Sequence, residues 1–187
     1  MMNNEMFGTL PDGTMYTKRR NLWTRPKVNV VTYKGYECEK WSCGIGQTNG
    51  PKIDALAAVG PVGRETHFTV SYDYILIVRE RGTTNPMMEV YNDGYATEGR
   101  KWFGQVLFSG NGYYIAPCDD WKHQRLTYYM NVDKGQAVQM SFFPAFLRDI
   151  DADLYIRNIM ITYGDEDYPY TPAPEIDETV VLTEGAG

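Results

Sequence analysis

Two pairs of residues at matched spacing are the first in this chain that could do chemistry. Cys38 and Cys43, and Cys118 and His123, each enclose four residues, and two such pairs on adjacent loops could close a Cys3His tetrahedron around zinc. Trp41 and Trp121 lie inside the gaps, and thiols among aromatics read better as reduced, buried packing groups. Asp149, Asp151 and Asp153 open like a calcium loop, but Leu154 stands where the sharp-turn glycine belongs and Met160 where the bidentate glutamate belongs. That excludes an EF-hand and leaves room only for a structural calcium; no cofactor is expected. Catalysis has little to work with. There are 2 histidines, His67 and His123, no G-x-S-x-G, H-E-x-x-H or phosphate-loop pattern, and 24 Asp and Glu residues of which none is marked by its neighbours as desolvated. The expectation is a protein that is not an enzyme.

Aromatic residues are the remaining candidates. Sugars are held by stacking their C–H faces on Trp or Tyr while Asn, Asp or Arg orient the hydroxyls, and Trp102, Tyr113, Tyr114 and Trp121 fall within one expected hairpin and its exit. The competing reading is that aromatic rings in a β-sandwich fill its core. Exposure of two of them on one face would favour the sugar site.

The elements that must position these residues are strands. Val28–Tyr33 and Tyr36–Cys43 flank a Lys34-Gly35 turn; Gly44–Pro51 is a glycine-rich loop; Ile53–Val59 is either one or two helical turns or an irregular edge. His67–Arg79 alternates and then becomes continuously apolar, as a strand half covered and then fully buried would. Met87–Tyr91 is a short strand before a turn at Asn92-Asp93-Gly94. Trp102–Ser109 turns at Gly110-Asn111-Gly112 into Tyr113–Ala116, and Arg125–Val132 and Ala137–Phe143 follow. The last strand, within Asp153–Tyr163, carries Leu154, Ile156, Ile159 and Ile161; the step from Ile156 to Ile159 breaks the period of two and predicts a bulge near Arg157-Asn158 or burial on both faces. Short strands at regular spacing without an amphipathic helix indicate an all-β sandwich or barrel.

The chain ends bracket this core. Residues 1–20 are polar, turn at Pro11-Asp12-Gly13 and finish in Lys18, Arg19 and Arg20, forming an arm. Pro169, Pro172 and Pro174 force an extended exit segment over 168–187, leaving 21–167 as the sandwich domain. With 187 residues one sizeable core is the default, and a net charge of -6 offers no field for a phosphate backbone, so no nucleic-acid partner is expected. No apolar run reaches the length of a membrane helix, and no signal peptide is visible in MMNNEMFGTLPDGT, so retention in the cytoplasm until assembly is expected.

The stretch DLYIRNIMITYGDEDYPYTPAPEID, residues 153–177, resembles the C-terminal signature of carbohydrate-binding-module-like jelly rolls of bacteriophage tail fibres, baseplates and other virion proteins, and Asn21-Leu22-Trp23 is similar to the start of their first strand. The resemblance implies a jelly-roll β-sandwich acting as a structural component of a virion. Its partners would be copies of itself and other virion proteins, with host-surface polysaccharide as an adhesion target. It also implies subunit contacts through Lys18, Arg19 and Arg20 in the arm and Tyr168 and Tyr170 in the exit segment. The alternative is a monomeric carbohydrate-binding module of a cell-surface or secreted protein.

Overall fold

The computed structural model describes residues 7–9, 15–17, 21–23, 25–58, 65–96, 102–104, 108–109, 114–131, 138–164 and 166–172, some strand residues by backbone alone. All of its regular structure is β. The first two strands, β1 (Phe7–Thr9) and β2 (Met15–Thr17), pair with each other in a separate antiparallel ribbon inside the N-terminal arm. Lys18, Arg19 and Arg20 lie outside the described residues.

The remaining strands form two antiparallel sheets. One has six strands: β3 (Val30–Tyr33), β4 (Tyr36–Cys43), β7 (Glu65–Arg81), β10 (Phe108–Ser109), β11 (Cys118–Asn131) and β13 (Ile150–Tyr163), in the order β10-β11-β7-β13-β4-β3. The other orders β5 (Thr48–Asn49), β12 (Val138–Arg148), β8 (Met87–Ala96) and β9 (Trp102–Gly104) side by side, and β6 (Ile53–Ala58) also pairs with β12. The chain changes sheet after β4, β6, β7, β9, β11 and β12, so neither sheet forms from one contiguous segment. One apolar cluster joins them: Val70, Tyr72, Tyr74 and Leu76 of β7 and Ala152, Leu154 and Ile156 of β13 meet Met88 and Val90 of β8 and Ala145 and Leu147 of β12. The result is a jelly-roll β-sandwich.

The break in period inside the last strand is a bulge. Arg157 pairs with Asp73 and Met160 with Ser71, so three residues on β13 advance against two on β7, and Asn158 takes a left-handed φ of 55°. Ile159 and Ile161 thereby return to the core, while Arg157 and Asn158, adjacent in sequence, both reach Asp73 on the outer face. β4 leaves β13 after Ile156, and the entry segment takes over: Leu22 N–H donates to Ile161 O at 2.8 Å, and Ile161 N–H donates to Asn21 Oδ1 at 3.1 Å. Beside the core, Glu39 is buried and accepts from Arg25 at 2.6 Å and Trp41 Nε1 at 3.0 Å, with the guanidinium over the Trp23 ring.

Three expectations are corrected. Asn92-Asp93-Gly94 is not a turn: the three residues run on inside β8, paired with Phe142, Ser141 and Met140, because the β12 ladder takes up their backbone groups and β9 adds a second ladder from Gly94 on. Trp102–Ser109 is not one strand: β9 belongs to the smaller sheet and β10 to the larger. Tyr113–Ala116 is not its hairpin partner. Tyr113 lies outside the described residues, Tyr114 bridges to Glu89 of β8, and the partner of β10 is β11. Of Ile53–Val59, the described residues Ile53–Ala58 form strand β6, with a register shift against β12.

Candidate outer-face cleft

Asp73 is a charged residue in the middle of β7, between core tyrosines at 72 and 74. Alternation along β7 sends Val70, Tyr72, Tyr74 and Leu76 into the core and Asp73 to the opposite face of the six-stranded sheet. There it is the register partner of His123 on β11 and of Arg157 on β13. His123 Nδ1 lies 2.9 Å from Asp73 Oδ1, Asn158 Nδ2 donates to Oδ2 at 2.8 Å, and Arg157 Nε stands 3.4 Å from Oδ2 as an ion pair without hydrogen-bond geometry. The other imidazole nitrogen, Nε2, is 3.2 Å from Asp167 Oδ2 in the exit segment. Burial pulls the His123 pKa down, but the hydrogen bonds to Asp73 and Asp167 outweigh it and leave it above the ordinary 6.5.

The exit segment runs back over this face. Thr69 Oγ1 donates to Gly164 O at 2.8 Å, and Asn21 Nδ2 donates to Thr171 O at 3.0 Å, so the strap is held on both sides of the Asp167 contact. Between strap and sheet lies a half-open cleft of about 380 Å³, its floor made by Ser71, Asp73, His123 and Asn158 and its wall by Asp167 to Tyr170. Tyr170 is 40% exposed.

Beside the cleft, Arg157 lays its guanidinium carbon 3.7 Å from the ring centroid of Tyr36 and 4.5 Å from that of Trp121, two rings set at 89° to each other. Cation–π contact and the Asp73 ion pair together fix the arginine. Tyr36 remains 50% exposed, so this rigid aromatic corner faces solvent. Further along the same face Tyr33 and Tyr155 stack at 3.7 Å, and Arg79 spans Asp151 and Asp153.

The chain is similar to two carbohydrate-binding modules. One is the CBM22-1 xylan-binding domain from Paenibacillus barcinonensis Xyn10C, at 14% identity over 75% of this chain and 83% of that one, with a TM-score of 0.44. The other is a CBM4 module, at 13% identity over 72% of this chain and 88% of that one, with a TM-score of 0.41. No family model and no curated protein matches the chain.

The residues singled out in the sequence fall in different places. Tyr168 and Tyr170 line the cleft, and Trp121 packs against Tyr36 and Arg157 beside it. Trp102 is located by its backbone alone, in β9 of the other sheet, and Tyr114 stands at the rim beside Glu89, where Arg81 Nη2 donates to its hydroxyl at 3.0 Å. Cys43 joins the core, whereas Cys38 donates to Val31 O and Cys118 to Tyr74 O, while His123 serves the carboxylates. All three thiols are free, and burial raises the pKa of Cys38 and Cys43. Asp149 spends its carboxylate on the N–H groups of Gly46 at 2.8 Å and Thr84 at 2.7 Å, so it ties two loops together while Asp151 and Asp153 hold Arg79. No group of three or more potential metal ligands occurs among the described residues. Tyr36, Asp73 and Asp167 were not singled out, and Arg157 and Asn158 only as the place of a bulge; the available signal was a charge inside an apolar run, at Asp73 and Arg157.

Proposed function

We propose that this sandwich is a non-enzymatic carbohydrate-binding module that holds a neutral saccharide in the cleft between the exit strap and the outer face of the six-stranded sheet. The observation that carries this reading is the composition of the cleft: Asp73, His123 and Asn158, locked by their mutual hydrogen bonds, beside the Tyr170 ring. Pre-fixed planar polar groups meet hydroxyls without an ordering cost, and an exposed tyrosine offers a stacking face. Both cleft carboxylates already hold His123, and Asp73 also holds Asn158 and Arg157, which suits orienting a sugar rather than attacking one. Calorimetric titration with neutral oligosaccharides is the test. Tyr170→Ala and Asn158→Ala should each weaken binding about tenfold, equivalent to ~1.4 kcal/mol. Failure of the unmodified protein to bind any neutral oligosaccharide overturns the proposal.

A finer reading is supported by the resemblance of residues 153–177 to phage virion jelly rolls. In it the module is a virion component, assembled with copies of itself and other virion proteins through the arm and exit segment, and weak single-copy binding to host-surface polysaccharide is multiplied by effective concentration. Its alternative, a module working alone on a cell surface or after secretion, shares the same cleft. Copy number in purified particles separates them: absence from particles and a monomeric mass in solution rule out the virion reading.

A further inference from the structure

We infer that the chain carries a second binding site at the rim of the sandwich, between the 82–86 loop and the start of β8, shaped for a single neutral, hydroxyl-bearing ring such as one sugar residue. A cavity of about 250 Å³ opens there among Arg81, Asn85, Met87, Glu89, Tyr114 and Ile150, and it shares no residue with the outer-face cleft. The volume lies just under the range of pockets for drug-sized ligands, so it suits one ring and not a chain.

Three features make it a built site. Tyr114 is 47% exposed yet held at both ends: its backbone bridges to Glu89, and its hydroxyl takes the Arg81 hydrogen bond at 3.0 Å. An exposed ring fixed in this way is a stacking surface that loses little freedom on binding. Glu89 Oε1 is buried and has no hydrogen-bond partner among the described residues, an arrangement that costs free energy until a donor arrives. Burial accordingly pushes the Glu89 carboxyl pKa up, against the opposing pull of Arg148. The loop is also set: Asn85 adopts a left-handed φ of 60°, and its carbonyl accepts from Arg148 Nε at 3.2 Å.

The ligand class follows from the charges. Arg81 and Arg148 disfavour a cation and Glu89 disfavours an anion, whereas a hydroxyl can donate to Glu89 Oε1 while the C–H face of its ring lies on Tyr114. Met87 and Ile150 supply an apolar lining for the rest.

The test is a methyl-detected NMR titration of the full chain with D-glucose, D-galactose and N-acetyl-D-glucosamine, each alone, following Met87 and Met88. At least one sugar should shift these methyls with millimolar affinity. Tyr114→Ala and Glu89→Ala should each weaken that binding about tenfold, while Tyr170→Ala in the cleft leaves it unchanged. Tyr114→Phe, which keeps the ring, should weaken it less than Tyr114→Ala and guards against a folding defect in the larger truncation. Unmoved methyls with all three sugars overturn the inference. So do shifts that survive Tyr114→Ala in full, or shifts produced by butylammonium in place of the sugars.

Discussion

Asn21 and Thr171, 150 residues apart, are joined by a hydrogen bond of 3.0 Å from the Asn21 side-chain amide to the Thr171 carbonyl. The same amide donates to Ile159 O at 2.9 Å, and its oxygen accepts from the N–H groups of Trp23 at 2.9 Å and Ile161 at 3.1 Å. One buried side chain thus closes the β13 edge that β4 leaves open and fastens both the entry and the exit of the sandwich.

Asn21→Ala strands several buried backbone groups at once. It should cost at least about 2 kcal/mol in urea unfolding, since each unsatisfied buried group costs roughly 1–3 kcal/mol. A loss of a few tenths would mean that water replaces the amide and that the strap is fastened elsewhere.

Ile156 is fully buried at the last residue where β13 pairs with both neighbours. Ile156→Ala should destabilise by ~2–5 kcal/mol through lost burial and the cavity left behind. The measurement is the shift of the denaturation midpoint at constant m-value.

Arg25 and Glu39 form an ion pair whose side chains are 14% and 4% exposed. Arg25→Met leaves a buried carboxylate supported by Trp41 alone and should cost roughly 3–5 kcal/mol, whereas replacing both partners with apolar residues should cost clearly less. Equal losses in the single and double variants would contradict this account.

Gly82 sits where a Cβ would run into the Asp149 carboxylate, and that carboxylate is held by two backbone N–H groups. Gly82→Ala should therefore destabilise, by about 1–3 kcal/mol as an overpacked site does. Combining it with Asp149→Ala should give less than the sum of the two single losses, read from a double-mutant cycle in thermal unfolding.

His123 has a raised folded-state pKa, so its stabilising contribution is complete below the unfolded value and fades as pH rises through the folded one. Only the imidazolium can donate to Asp73 and Asp167 together. The stability of the natural protein relative to His123→Gln should be greatest below the unfolded value of about 6.5 and fall as pH rises from there through the raised folded-state value. A difference that stays level or grows with pH would refute the two-carboxylate pin.

The all-β class, most strand positions and the bulge could be read without any partner strand, because an inward side chain recurs every second residue and the step from Ile156 to Ile159 breaks that rule within a single segment. That residues 166–172 form neither strand nor helix was equally local, since Pro169 and Pro172 lack a backbone donor. The tertiary structure decided what depends on neighbours. Asn92-Asp93-Gly94 has turn composition, yet β12 pairs with all three residues, β9 joins at Gly94, and the segment stays extended. The segment from Trp102 to Ser109 has strand composition, yet its ends pair in different sheets. The cleft is of the same kind. Asp73, His123, Arg157 and Asp167 carry no shared motif, and they meet only because β11, β7 and β13 are neighbours and the strap crosses above them. Alternation along one strand says which side chains share a face; the order and register of strands far apart in the chain say which of those faces meet.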